Sequence, residues 1–398
     1  MARFVITNAS VVLPDRVVAR RAVEVSGGRI RRVVSMRALG KTSVKHVVDA
    51  GGRLLAPGFI DLHVHGTNDY LVNNGPGSLA ALCAMLSCYG VTGFLPTVTP
   101  LPHAELVELV RQLSSLDTPP GAAILGMHLE GPYLALQGAL PDTISTQPNR
   151  REVEALIDAC APHRAVFSIA PELEGVLDVI PVMVESGAPV FMTHTMATVD
   201  ETRAAIEAGA RHATHFYDVW PCPPETERGK RPTGAVEAVL VDDRVSVDFI
   251  LDGVHVDPIA VHLALRCKGA DRVCLVTDAM IGAGLPPGRY RFGKEEVVFE
   301  TVGGPARLAE GSPRAGGLAG SGLTMDQAVR NAVEMLGIEV PIAVCMASTA
   351  PAGVLGLGGC KGQVAEGFDA DLVLLDEALN VTRTWVGGEC VYSSDDET

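Results

Sequence analysis

The feature that most constrains this chain is a series of short apolar runs that alternate with helical patterns. Eight runs suit buried β-strands, and they begin at Phe59, Phe94, Ile124, Val166, Pro189, Ala213, Ser246 and Val273. Stretches such as HAELVELVRQL lie between the runs, and this one places Leu106, Leu109, Val110 and Leu113 on one helical face. Strands that alternate with crossover helices predict a parallel sheet, and eight such units predict an α/β fold with a TIM-like (β/α)8 barrel.

The two ends of the chain differ from this middle. About 50 residues at the start and 35 at the end alternate in short β-like runs broken by glycine, as in RAVEVSGGRI and FDADLVLLD. We expect both ends to build one small sheet domain from residues 1–55 and 356–398. The barrel would then occupy residues 56–355, close to the roughly 250 residues that such barrels need.

Charge and composition exclude several classes of protein. The net charge of -15 repels nucleic acid and anionic membrane surfaces. We find no run of roughly 20 apolar residues and no signal-peptide pattern at the start, so we expect no membrane span. Nine scattered cysteines without a CxxC pair are typical of reduced thiols, which favours a cytoplasmic protein.

Metal-ligand side chains fall where the predicted strands end. The first strand ends in His63 and His65, and the other strand-end residues are Glu130, His194, His215 and Asp278, with His255 just after the seventh strand. The carboxyl ends of barrel strands meet at one rim, where active sites lie. Imidazole and carboxylate groups are the ligands that Zn²⁺ and Fe²⁺ accept. The joint placement therefore predicts a divalent metal site.

Each of these residues also has an ordinary structural interpretation. Glu130 can be a solvent-facing carboxylate, Asp278 a helix N-cap, and His194 and His215 core or surface histidines. Only their shared position at strand ends favours a common site.

Several motifs together resemble one family: HVHG at His63, HLEGPYL from His128, DGVHVDP from Asp252, LVTDAM from Leu275 and LAGSGLTMDQAVRN from Leu318. Over nearly the whole chain the sequence resembles N-acetylglucosamine-6-phosphate deacetylases of the amidohydrolase superfamily. The resemblance implies a small β-sandwich built from both termini, a homodimer, and removal of the acetyl group from an amino-sugar substrate.

The resemblance also implies roles for individual residues. Glu130, His194 and His215 would hold the principal metal, Zn or Fe, and His63 and His65 a second ion, giving one or two ions per chain. Asp278 would take a proton from the attacking water and pass it to the leaving amine. The substrate-binding residues implied are His255, Asp218, Val219, Ala139, Arg228, Arg231, Leu318, Ala319 and Gly320.

Two departures from the family pattern bear on the substrate. Leu140 stands where relatives have a histidine that binds the acetyl group, and FYDVW replaces LFNAM, so that Asp218 and Val219 replace asparagine and alanine. A carboxylate beside a sugar phosphate would repel it. An N-acetylgalactosamine phosphate, a non-phosphorylated N-acyl sugar and an N-acyl amino acid therefore remain alternative substrates.

Two further alternatives concern the chemistry itself. Dihydroorotase-like members of the superfamily bridge two metals with a carboxylated lysine, but no lysine lies between Lys45 and Lys230. Glu130 would take the bridging place instead. Outside enzymes, the alternative is a catalytically silent barrel used as a binding module, which would be expected to have lost some of these ligands.

Overall fold

The chain begins with a small sheet. The computed structural model describes residues 3–40, 44–117, 119–141, 147–293 and 295–396. The first elements are the strands β1 Arg3–Val12, β2 Val17–Ser26 and β3 Arg29–Ser35, the short helix α1 Met36–Leu39, and the strands β4 His46–Asp49 and β5 Leu54–Pro57. Gly27 and Gly28 have positive φ angles of 64° and 76° and form the tight turn between β2 and β3.

The barrel starts directly after β5. Its first half contains β6 Phe59–Val64, the two-residue strands β7 Gly66–Thr67 and β8 Tyr70–Leu71, α2 Pro76–Cys88, β9 Val91–Val98, α3 His103–Ser114, β10 Ala123–Ile124, β11 Met127–Leu129 and α4 Arg150–Cys160. The second half contains β12 Ala165–Ile169, α5 Val176–Glu185, β13 Val190–Met192, α6 Val199–Ala208, β14 His212–Ala213, α7 Ala235–Val241, β15 Ser246–Ile250, α8 Pro258–Lys268 and β16 Val273–Val276.

Each of the eight predicted apolar runs overlaps one strand of a nearly closed parallel barrel. The hydrogen-bonded order is β6-β9-β11-β12-β13-β14-β15-β16. The first and last strands meet through a parallel bridge between Val64 and Ala279. The predicted α/β barrel is therefore confirmed.

The predicted helical faces point into the core as expected. In α3, Leu106, Val110 and Leu113 are fully buried, and Leu109 is partly buried against the same core. Burial of this stripe between the barrel and its neighbours is what holds α3 in place, because an isolated helix of this length is marginal in water.

A small antiparallel sheet follows the last barrel strand, and the sequence pattern did not reveal it. Its strands are β17 Gly288–Phe292, β18 Glu295–Phe299, β19 Pro305–Leu308 and β20 Leu318–Ser321, in that order. They pack on their own apolar cluster, which includes Phe299, Met280 and Ala319. This sheet forms one wall over the rim of the barrel.

The chain then returns to the first sheet. The helices α9 Met325–Leu336, α10 Val340–Val344 and α11 Ala350–Val354 lead to the strands β21 Leu372–Leu375, β22 Val381–Val386 and β23 Glu389–Ser393. β21 pairs with β5, so strands from both ends of the chain share one sheet, as predicted. Among the described helices, none is long and apolar enough to cross a membrane.

Candidate metal centre

Six side chains from five strands meet at the carboxyl ends of the barrel strands. His63 lies at the end of β6 and His65 directly after it, Glu130 directly follows β11, and His194, His215 and Asp278 each lie two residues after a strand. Their side chains are at most 10% exposed. The residues expected at the rim are therefore brought together.

Glu130 lies at the middle of this cluster. Its Oε1 atom is 3.2 Å from His215 Nε2, 3.4 Å from His194 Nε2 and 3.6 Å from His63 Nε2. Its Oε2 atom is 3.1 Å from His65 Nε2. Four imidazoles thus surround one carboxylate. In a dry site this crowding of nitrogen and oxygen lone pairs would be unfavourable unless a cation or shared protons lay between them.

Asp278 lies beside the two histidines of the first barrel strand. Its Oδ1 atom is 3.3 Å from His65 Nε2 and 3.5 Å from His63 Nε2. Two groups of ligand atoms are compact enough to hold a metal ion: one is His63, Glu130 and His215, and the other is His63, His65 and Asp278.

The outer nitrogens of the histidines are held by acceptors, which fixes the orientation of the rings. The Nδ1 atoms of His65, His194 and His215 lie 3.1, 2.8 and 3.2 Å from the carbonyl oxygens of Thr97, Leu136 and Asp218. A carbonyl oxygen can only accept, so each Nδ1 carries the proton of the neutral ring. Each Nε2 then directs a lone pair toward the centre, as metal-ligating histidines require.

The electrostatics of the cluster favour a positive charge at its centre. Burial alone would lower the pKa of His65, but the adjacent Asp278 and Glu130 carboxylates raise it to about 10. Burial likewise opposes the charge on His215, yet Glu130 and Asp218 raise its pKa to about 10. Burial would also raise the pKa of Asp278, but the neighbouring histidines lower it. Protons and a divalent cation would therefore compete for this site.

One buried atom tests whether a metal would fit. Oε2 of Glu130 is buried, and although His65 Nε2 lies 3.1 Å away, no donor in the described ranges is aligned to form a hydrogen bond with it. A buried carboxylate oxygen normally has a partner. Together with the inward Nε2 atoms of the histidines, this oxygen completes a nitrogen and oxygen ligand set suited to Zn²⁺ or Fe²⁺.

A pocket opens directly above the cluster. Its walls include Leu140, which replaces the family histidine, and six of the residues expected to bind substrate: Ala139, Asp218, Val219, Leu318, Ala319 and Gly320. Among the described residues that line it, none is lysine or arginine. Three carboxylates, Glu130, Asp218 and Asp278, face it together with the histidines.

Four lining residues were not expected from the sequence: Thr99, Gly138, Met280 and Phe292. Thr99 directly follows β9, so the strand-end rule was a signal for it. Gly138 has a φ of 56°, and a Cβ there would lie 2.8 Å from His194 Cε1, so this close approach needs glycine. Phe292 comes from β17 of the antiparallel sheet, a strand that lies outside the motifs.

Three expected substrate-binding residues lie outside the pocket lining. The His255 side chain is buried, and its Nδ1 is 2.8 Å from Asp252 Oδ2, while its Nε2 has no hydrogen-bond partner among the described residues. Arg228 and Arg231 are exposed on the long segment between β14 and α7. Their roles in binding substrate stay predictions.

A (β/α)8 barrel with a histidine and carboxylate cluster at its rim defines the class of metal-dependent amidohydrolases. The model of the Amidohydrolase family matches residues 54–391. The chain belongs to the Amidohydrolase family, whose members depend on a metal, as predicted.

Several curated proteins are similar over most of their length. N-acetylgalactosamine-6-phosphate deacetylase from Escherichia coli O157:H7 is 37% identical over 350 residues, covering 86% of this chain and 89% of the relative. N-acetylglucosamine-6-phosphate deacetylase from Lysinibacillus sphaericus is 33% identical, with 86% of each chain covered. These relatives confirm the deacetylase resemblance drawn from the motifs.

Solved structures give the same result for the fold. N-acetylglucosamine-6-phosphate deacetylase from Pasteurella multocida superimposes with a TM-score of 0.86 at 28% identity, covering 98% of this chain and 99% of that one. The enzyme from Mycobacterium smegmatis, solved in complex with N-acetyl-D-glucosamine-6-phosphate, superimposes with a TM-score of 0.84 at 30% identity, covering 99% of this chain and 100% of that one. The barrel and the terminal sheet thus occur together in these relatives.

Proposed function

We propose that this chain hydrolyses the N-acetyl amide of an amino sugar, with N-acetylglucosamine 6-phosphate as the main candidate and glucosamine 6-phosphate and acetate as products. The observation that carries the proposal is the convergence of Glu130, four histidines and Asp278 beneath one pocket. The names of the similar enzymes supply the substrate class.

The residues proposed to hold the cation are Glu130, His194 and His215, with His63 and His65 available for a second ion. Nitrogen and oxygen ligands suit Zn or Fe. One or two ions per chain would fit, because two compact ligand groups share His63, while His194 belongs to neither group. When bound, a divalent cation supplies Lewis acidity, which polarises a carbonyl and makes water easier to deprotonate.

Asp278 is proposed to be the general base and then the general acid. The neighbouring histidines hold its pKa below the ordinary value despite its burial, so it is ionised and ready to accept a proton at neutral pH. It lines the pocket, within reach of a substrate placed above the cluster. It takes the proton of the attacking water and then donates that proton to the nitrogen of the leaving amine.

The pocket walls are proposed to orient the acyl group. Leu140 has no side-chain donor, so it cannot bond the acetyl oxygen as the histidine of relatives would. Ala139, Leu140 and Phe292 instead offer apolar surface to the acetyl methyl group. A cation held by the cluster would supply the positive charge that stabilises a developing oxyanion.

N-acetylgalactosamine 6-phosphate is the second candidate substrate. The 37% identical relative is a deacetylase of that sugar phosphate. The absence of lysine and arginine from the described pocket lining also keeps the non-phosphorylated sugars and N-acyl amino acids as candidates. Acetate release should therefore be compared for both hexosamine 6-phosphates, their non-phosphorylated forms and an N-acetyl amino acid. The proposal fails if none of the hexosamines releases acetate with the metal-loaded enzyme.

The state of the protein in the cell is proposed on two observations. The nine cysteines are reduced thiols, which suits the cytoplasm. Arg228 and Arg231 are exposed and lie away from the pocket of their own chain, so a homodimer in which this segment approaches the partner's pocket would give them a phosphate to bind. Sedimentation of the purified enzyme tests for the dimer.

Asp218 should reduce the preference for phosphorylated substrate. Asp218→Asn removes one negative charge from the pocket wall, and two like charges about 4 Å apart repel by about 1 kcal/mol when they are well hydrated. We expect kcat/KM for the phosphorylated sugar to rise about fivefold relative to the non-phosphorylated sugar. Asp257→Asn, at an exposed helix N-cap, is the control and should leave this ratio unchanged. An unaltered ratio in Asp218→Asn would show that this carboxylate does not sense the phosphate.

A further inference from the structure

Three rim residues have strained backbone conformations and directly follow a buried threonine. The positive φ angles are 47° at His194, 31° at His215 and 46° at Asp278. Such conformations are unfavourable for residues other than glycine and persist only where the surroundings enforce them. The preceding buried threonines are Thr193, Thr214 and Thr277.

Asp248 is the group that fixes the turn after Thr214. It lies in β15, is completely buried, and is not among the residues that line the pocket. Its Oδ1 accepts a hydrogen bond from the backbone N–H of His215 at 2.5 Å. Its Oδ2 lies 2.9 Å from Thr214 Oγ1 and 2.7 Å from His212 Nε2.

The direction of the hydrogen bonds follows from this arrangement. An ionised carboxylate can only accept, so the Thr214 hydroxyl donates its proton to Asp248. The hydroxyl oxygen must then accept from its other neighbour, His63 Nδ1, which lies 3.1 Å away. His63 therefore carries its proton on Nδ1 and keeps a lone pair on Nε2. That Nε2 is the atom shared by both potential ligand groups.

We infer that Asp248 is a positioning residue of the metal centre. Through Thr214 it sets the tautomer of His63, and through the backbone N–H of His215 it holds the strained turn that presents the His215 ring. It touches neither substrate nor cation. The inference rests on the proposed cation-binding role of His63 and His215, and it adds a residue from the seventh strand whose function the strand-end pattern does not indicate.

A similar arrangement on the first strand supports this interpretation. Asp61 is also completely buried, and its Oδ2 accepts from Thr277 Oγ1 at 2.6 Å, directly before Asp278. Two buried carboxylates thus each hold the threonine that precedes a strained rim residue. Burial of a carboxylate is costly unless it is fully hydrogen-bonded, which fits a positioning role.

The sharpest test is Asp248→Asn, which nearly preserves shape. The backbone N–H of His215 requires an acceptor, so the amide oxygen stays there and the NH₂ group faces Thr214. The Thr214 hydroxyl must then accept from Asn and donate to His63 Nδ1. This places the His63 proton on Nε2, where it blocks a cation. A reversed hydrogen bond of this kind is known to install the wrong histidine tautomer in a catalytic triad.

Thr214→Val and Thr214→Ser form a matched pair for the same link. Valine keeps the β-branched shape without the hydroxyl, and serine keeps the hydroxyl. Thr92→Val is the control for removing a buried hydroxyl, because the Thr92 hydroxyl donates to the Phe59 carbonyl and Thr92 lies at the amino end of β9, opposite the rim. Folding of each variant is checked by circular dichroism.

The measurement is the affinity and number of Zn²⁺ ions bound per chain, determined by competition with a chromogenic chelator. We expect Asp248→Asn and Thr214→Val to bind at least one ion about 10- to 100-fold more weakly, while Thr214→Ser and Thr92→Val match the wild type. Wild-type affinity in Asp248→Asn would overturn the inference, whether or not Thr214→Val folds. So would a Thr214→Ser variant as weak as Thr214→Val.

The measurement of Zn²⁺ binding uses no substrate, so it tests the positioning role of Asp248 separately from the proposed deacetylase reaction. A wild-type chain that binds Zn²⁺ tightly but releases no acetate would refute the proposed reaction and leave the positioning role standing. A wild-type chain that binds no divalent ion would refute both.

Discussion

Asp278→Asn is expected to lower kcat by about 10³-fold while leaving the bound metal in place, since a positioned acid and base contributes about 10²- to 10⁴-fold and Asp278 would serve as both. Asparagine has nearly the same shape but cannot accept the proton of the attacking water. Glu130, His194 and His215, the proposed ligands of the principal ion, are unaltered by the change. The measurement is acetate release under saturating substrate, together with metal analysis of the same sample.

Asp257→Asn provides the matched control for this variant. Asp257 caps α8 through a bond to the Ile259 backbone N–H, and asparagine is an equally good N-cap, so activity should be unchanged. If Asp278→Asn kept more than a tenth of the wild-type kcat, another group would have to be the base.

Glu130→Gln is expected to remove both metal and activity. The Glu130 carboxylate lies within 3.6 Å of four histidine Nε2 atoms, and its negative charge is what attracts a cation to this site. Loss of a supporting residue around a metal site costs 10- to 100-fold in affinity, so loss of this ligand should cost at least about 100-fold. Zn²⁺ affinity and acetate release are measured on the same preparation.

Glu154→Gln serves as the control, because Glu154 only pairs with Arg150 on the exposed face of α4. Exposed ion pairs contribute little, so neither metal affinity nor stability should change noticeably. Wild-type Zn²⁺ affinity in Glu130→Gln would show that Glu130 is not a ligand of the bound ion.

The sequence predicted most of the architecture for a physical reason. Strand and helix periodicity differ, and a parallel barrel brings all strand ends to one rim, so the sequence alone places His63, Glu130 and Asp278 together. The same rule would have found Thr99, which follows a strand directly.

The remaining features depend on contacts between residues distant in the chain. Phe292 reaches the pocket from β17, a short strand of mixed burial that carries no motif. Gly138 is required by the approach of His194, which follows it by more than 50 residues. Thr214 and Asp248 resemble ordinary residues of buried strands, because threonine is common in strands and the sequence does not show which carboxylate its hydroxyl meets.

His255, in contrast, is marked by a motif but does not line the pocket. The motif DGVHVDP drew attention to it, and the structure explains one part of that motif: Asp252 accepts hydrogen bonds from the backbone N–H groups of Val254 and His255 and pairs with the imidazole. The pair is buried and lies outside the pocket lining, although the free Nε2 leaves room for a further partner.

On the proposed function, a divalent cation held by Glu130 and the four histidines around it is needed to release acetate from an N-acetylhexosamine. The most direct measurement strips the wild-type enzyme with a chelator and follows acetate release from the two hexosamine 6-phosphates as Zn²⁺ is added back. We predict no release without metal and a rise in proportion to bound ion that levels off at one or two per chain. Acetate release by the stripped enzyme, or none at full loading, would contradict the claim.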